Sequence, residues 1–119
     1  MTNGTAERVF NLIGMRQSEY AKGDVGVYQG KRKTSMGNLR FIGSIGGDVL
    51  SFSAELDAHY PLDNASARVE IVYSPKMGPA EVAGKILEGL KEFQNSDSAS
   101  MIELLRECET ALAIIQKAF

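Results

Sequence analysis

The sequence predicts an α+β fold: a four-stranded antiparallel meander with one helix before it and two after it, in the order α-β-β-β-β-α-α. Three observations carry this. Apolar residues recur at spacings of three, four and seven near both ends of the chain, the mark of helices with one buried face. Between them, from Val25 to Tyr73, the period drops to two. Turn formers, Gly46-Gly47-Asp48 and the stretch from Ala58 to Ser66 with Pro61 and Asn64, separate the period-two runs. Strands joined by such turns pair antiparallel, and the flanking helices are expected to cover one face of the sheet.

The first helix is expected from Thr5 to Lys22, with Ala6, Val9, Phe10, Ile13 and Tyr20 on its apolar face. Thr5 suits the N-cap, Glu7 the positive end of the helix dipole, and Gly23 the C-terminal stop. Gly14 weakens the middle by about 1 kcal/mol relative to Ala and suggests close packing of a neighbour.

The first strand starts at Val25, Val27 and Tyr28 and runs into Gly30-Lys31-Arg32-Lys33. In the next, Leu39 and Phe41 point one way, Arg40 and Ile42 the other. The third is the clearest, with Leu50, Phe52, Ala54 and Leu56 alternating against Ser51, Ser53, Glu55 and Asp57, one face buried and one wet. The fourth sets Ala67, Val69, Ile71 and Tyr73 against Arg68, Glu70 and Val72, and Pro75 stops it. Seven of the 12 glycines lie between Gly23 and Gly47, which predicts twisted or bulged strands there. Pro79 opens the second helix, whose apolar face is Val82, Ala83, Ile86, Leu87, Leu90 and Phe93. After a break at Asn95-Ser96-Asp97-Ser98, Ser100 and Glu103 have capping-box spacing for the third. Met101, Leu105, Cys108, Leu112, Ile115 and Phe119 then form a heptad seam.

Hydrophobic residues are 44% and charged residues 24% of the 119, ordinary globular values that exclude general disorder. A single α+β domain over residues 1–119 is expected. No apolar run has the length of a membrane span, and the first residues have neither the basic nor the apolar region of a signal peptide. With one cysteine, no internal disulfide forms, and a cytoplasmic protein is the expectation. The formal charge of −2 conceals a division: residues 1–50 carry seven Lys/Arg and four Asp/Glu, and residues 51–119 carry six and eleven.

No catalytic constellation emerges, and no cofactor or metal is expected. Cys108 falls on the apolar face of a helix and the single histidine, His59, in a loop. Asp57, His59 and Asp63 are of types that suit a divalent cation, yet a wet strand end and a turn account for them. The glycines fit neither the P-loop nor the dinucleotide-binding spacing. Lys31, Arg32, Lys33 and Arg40 form a basic cluster at or near a turn, the type that contacts phosphates of a nucleic acid or a small nucleotide. The order of four strands and then a helix, from Asp24 to Phe93, resembles the Whirly-type single-strand DNA-binding modules in topology, with no motif residue to carry over. Against a polyanion stands the wet face Ser51, Ser53, Glu55 and Asp57, which repels phosphate.

The reading that follows is a small non-enzymatic binding protein that docks a partner protein through His59, Tyr60, Asp63, Glu55 and Asp57. A motif-free chain of this size suits an accessory protein of a phage or mobile element, such as an inhibitor of a host system. A homodimer through Met101, Leu105, Leu112 and Ile115 of the last helix is expected to bury the surplus apolar surface. The alternatives are an anionic-ligand binder using the basic cluster, and a small enzyme with a pocket between subunits and His59, Asp57 or Glu55 as acid–base groups.

Overall fold

Residues from Gly26 to Val72 fold as consecutive antiparallel hairpins, as their period of two requires. A computed structural model of the chain describes residues 4–17, 26–93 and 98–119. Its elements are α1 (Gly4–Leu12), β1 (Arg16–Gln17), β2 (Gly26–Thr34), β3 (Gly37–Gly46), β4 (Val49–Ala58), β5 (Ala65–Val72), α2 (Pro79–Phe93) and α3 (Ala99–Ala118). The fold is α+β with an antiparallel sheet, one N-terminal and two C-terminal helices. The sheet has five strands in the order β1-β2-β3-β4-β5, not four. Among the described residues no helix is long and apolar enough to cross a membrane.

The extra strand comes from a shorter first helix. The α1 helix ends at Leu12, and the Gly14 N–H donates to the Asn11 carbonyl while the Met15 N–H donates to that of Phe10. Gly14 has φ +91°, a conformation that ends a helix and reverses the chain at little cost only for glycine. Gly14 is therefore the stop, and Thr5 lies inside the helix rather than capping it. Arg16 and Gln17 then pair with Gln29 and Tyr28. The Tyr20, Lys22, Gly23 and Val25 expectations, and the break at 95–97, lie outside the described residues.

The inward face of the sheet carries Tyr28, Leu39, Phe41, Ile45, Leu50, Phe52, Ala54, Leu56, Ala67 and Val69, all buried. The β2–β3 and β3–β4 ladders are unbroken, so the glycines here make no bulge. Gly43 instead makes room: a Cβ there would stand 2.6 Å from Phe10 Cζ. Phe10 of α1 thus lies directly on the sheet, its ring centroid 5.3 Å from that of Tyr28 and 6.4 Å from that of Phe52. Tyr73, just past β5, is buried, and its hydroxyl accepts from the Ala6 N–H at 3.2 Å, one of the donors that a helix start leaves unpaired. Val82, Ala83, Ile86, Leu87 and Leu90 of α2 are buried as expected, while Phe93 is 39% exposed.

Two expectations for α3 are corrected. Its N-cap is Ser98, whose Oγ accepts from the Met101 N–H; Ser100 is the second residue of the helix and is buried. Glu103 does not reach back to Ser100 but accepts from Arg106 Nε at 3.1 Å and from Arg106 Nη2. The heptad seam is in part ordinary core. Met101, Cys108, Leu112 and Ile115 are buried together with Leu104 and Ala111, Leu105 is half-buried against them, and Phe119 lies exposed under the Arg8 guanidinium at 4.4 Å.

Candidate functional site

The helices cover one face of the sheet and leave the other open. On the open face, β-ladder register decides which charges meet. The β3–β4 turn at Gly47 and Asp48 sets Arg40 opposite Glu55, and the two-residue β2–β3 turn sets Lys31 opposite Arg40. Lys33, Asn38 and Asp57 form the next row outward. Arg32 alternates to the other face, where Nη1 comes within 3.9 Å of Glu107 Oε2 on α3. The result is an open cleft of about 720 Å³ lined by Lys31, Arg32, Lys33, Asn38, Leu39, Arg40, Glu55 and Asp57.

This cleft unites residues that the sequence assigned to rival functions. All four basic candidates line it, and so do the acidic candidates Glu55 and Asp57. Arg40 Nη2 donates to Glu55 Oε2 at 2.5 Å across the strands. Lys31 and Lys33 are exposed and have no ion-pair partner among the described residues.

The turn that closes this end is held by one side chain. Thr34 Oγ1 donates to the Gly37 carbonyl and accepts from the Met36 and Gly37 N–H groups, all at 3.0–3.1 Å. Gly37 has φ +153°, and a Cβ there would stand 2.1 Å from the Asp57 carbonyl oxygen, so a side chain would force β3 and β4 apart at the tip. Next to this turn runs the loop from His59 to Asn64. The His59 N–H donates to the Met36 carbonyl at 2.8 Å, the Leu62 N–H to the His59 carbonyl at 2.9 Å, and the Ala58 N–H to Asn64 Oδ1 at 2.9 Å. The loop is thereby fixed against the β2–β3 turn. It presents Tyr60, which is 97% exposed, with His59 and Asp63 exposed beside it in the chain.

The other candidates lie elsewhere. Met101, Leu112 and Ile115 are buried within the protomer and Leu105 packs partly against the same core, so these side chains do not form an exposed oligomer surface. On the same helix Ile102 and Ile114 remain exposed, at 52% and 64%. Cys108 is buried, and burial, with Glu107 adding to it, pushes its thiol up to about 12 from an ordinary 9.0. A thiol so held is protonated at neutral pH and a poor nucleophile. Burial, and then the Glu7 carboxylate, also raises the Tyr28 phenol above its ordinary value. No group of three or more His, Cys, Asp and Glu arranged to hold a metal occurs among the described residues.

Sequence reasoning missed the convergence of hairpin and loop, which rests on one long-range backbone bond. The Arg40–Glu55 pairing had a usable signal, since counting back equally on each side of the Gly47-Asp48 turn sets the two opposite. Comparison with known proteins adds no relative to this geometry: no protein-family model, no curated protein and no solved structure matches the chain.

Proposed function

We propose that the chain is a non-catalytic docking protein whose tip, the Lys31–Asp57 cleft with the adjoining His59–Asn64 loop, binds a partner protein presenting both signs of charge. The observation that carries this is the mixture of signs in one open cleft, with Arg40 already engaged by Glu55. A polyphosphate chain needs cations in excess along its path. Here, Glu55 and Asp57 interrupt that path, and Lys31 and Lys33 are the cleft cations with no ion-pair partner among the described residues. A protein surface with an acidic group for Lys31 or Lys33 and a basic one for Asp57 matches the same cleft. Tyr60 then serves as the anchor, a large rigid side chain with low ordering cost that fills a pocket on the partner.

Site-directed photocrosslinking tests this. A benzophenone amino acid replaces Tyr60 in one version of the chain and Lys76, exposed near the opposite end of the sheet, in another. Both are irradiated in cells that naturally carry the sequence. The expected result is an adduct with a different protein from position 60, lost on reversing Lys31 and Lys33 to Glu. Equal adducts from both positions, or none from position 60, overturns the reading.

A further inference from the structure

The second surface lies along the outer edge of β5, away from the tip cleft. β5 is the terminal strand of the sheet, and no described element pairs with its free edge. An edge strand of eight residues exposes a row of unpaired N–H and C=O groups, which folded proteins ordinarily shield with charged side chains, proline or a bulge. β5 has neither proline nor a bulge, and its two charged residues, Arg68 and Glu70, are of opposite sign. Its exposed face alternates Ser66, Arg68, Glu70 and Val72, and Val72 is 76% exposed. Below the edge runs a groove of about 570 Å³ between β5 and α2, with Phe93 at one end.

The charges on this edge are self-complementary. Arg68 and Glu70 are neighbours on one face of one strand, with Arg68 Nη2 donating to Glu70 Oε1 at 2.7 Å. A second copy of β5 pairing antiparallel about a two-fold axis has few registers that keep exposed face with exposed face. Centred on Arg68, the arginine meets its own copy; centred on Glu70, the glutamate does. Centred on Val69, each Arg68 faces the partner's Glu70, and Ser66 through Val72 pair over their full length. Opposite charges directly across an antiparallel pair stabilise it and like charges destabilise it. Helix α2 packs beside this strand: Gly89 lies against Val69, since a Cβ there would stand 2.1 Å from Val69 Cγ2. Lys85, Glu88 and Glu92 of α2 line the groove below the edge.

We infer that the occupant of the β5 edge is a second copy of this chain, in an antiparallel pair centred on Val69 that joins two five-stranded sheets into one. The dimer is independent of the tip reading, and its contact replaces the helix seam that folding has buried.

Sedimentation equilibrium of the full chain tests the inference. At about 0.1 mM, a concentration that populates even a weak dimer, the wild type is expected at twice 12.9 kDa. Arg68→Glu and Glu70→Arg each create two like-charge pairs and weaken the dimer at least about tenfold. The double swap Arg68→Glu/Glu70→Arg recovers it. Circular dichroism checks that each variant is folded. As a second measurement, Ser66→Cys with Val72→Cys is expected to form an interchain disulfide on mild oxidation. A monomeric wild type, single variants that dimerise like the wild type, or folded single variants that the double swap does not rescue, each overturn the inference.

Discussion

Arg40 and Glu55, fifteen residues apart in the chain, meet across β3 and β4 with Arg40 Nη2 2.5 Å from Glu55 Oε2. One belongs to the basic cluster and the other to the acidic strand face that the sequence sets apart. Both side chains are nearly half exposed, so the pair contributes at most about 1 kcal/mol to stability. Its larger effect is electrostatic, since it removes one cation from the cleft. Glu55→Gln is therefore expected to leave the melting temperature nearly unchanged and to lengthen retention on immobilised heparin. Unchanged retention would mean that Glu55 does not mask Arg40.

The Tyr73 hydroxyl holds the start of α1 through the Ala6 N–H, and both residues are buried. Tyr73→Phe leaves that donor without a partner and is expected to cost about 1–3 kcal/mol. Denaturant unfolding reads the loss. Hydrogen exchange should place its largest effect in α1.

Gly43→Ala drives a methyl group into the Phe10 ring, whose three nearest atoms stand 2.6–3.0 Å from the added Cβ. Overpacking of this kind costs about 1–3 kcal/mol. Shrinking the ring with Phe10→Leu in the same chain should recover part of that loss, a coupling that a double-mutant cycle measures. Additive losses would show that Phe10 and position 43 do not share one space.

Cys108 makes stability depend on alkaline pH. The folded thiol titrates at about 12 against an ordinary 9.0, so the unfolded chain loses its proton first as pH rises. The contribution is whole below about 9 and is lost progressively up to about 12. Tyr28, raised in the same direction, acts with the same sign above its own ordinary 10.0. Cys108→Ala removes a side chain from the core at any pH, yet its stability should fall less steeply between pH 9 and 12 than that of the wild type. An aromatic disulfide reagent should react with Cys108 only on unfolding.

Much of this fold was legible in the sequence because alternation and helical spacing report burial directly. Leu50 to Leu56 and Val82 to Leu90 point inward as their periods require. The end of α1 was not legible in the same way. Apolar spacing runs on past Gly14, and periodicity does not register a backbone at φ +91°. Arg16 and Gln17 carry no apolar alternation; they are a strand because β2 offers them partners. At the tip, residue types identified the candidates, but their assembly depends on the Thr34 turn and the His59–Met36 backbone bond. On α3, the seam of Met101, Leu105, Leu112 and Ile115 has the same spacing whether it faces a sheet or another chain, and here it faces the sheet.

The most direct measurement is a salt titration of the full chain against a fluorescent single-stranded oligonucleotide of about thirty nucleotides. It asks whether the tip is a mixed-charge protein-docking surface or a phosphate-binding one. With Glu55 and Asp57 in the cleft, no saturable binding is expected even at about 50 mM salt. Saturable binding that weakens linearly in log affinity against log salt, and disappears when Lys31 and Lys33 are changed to Glu, would contradict the account.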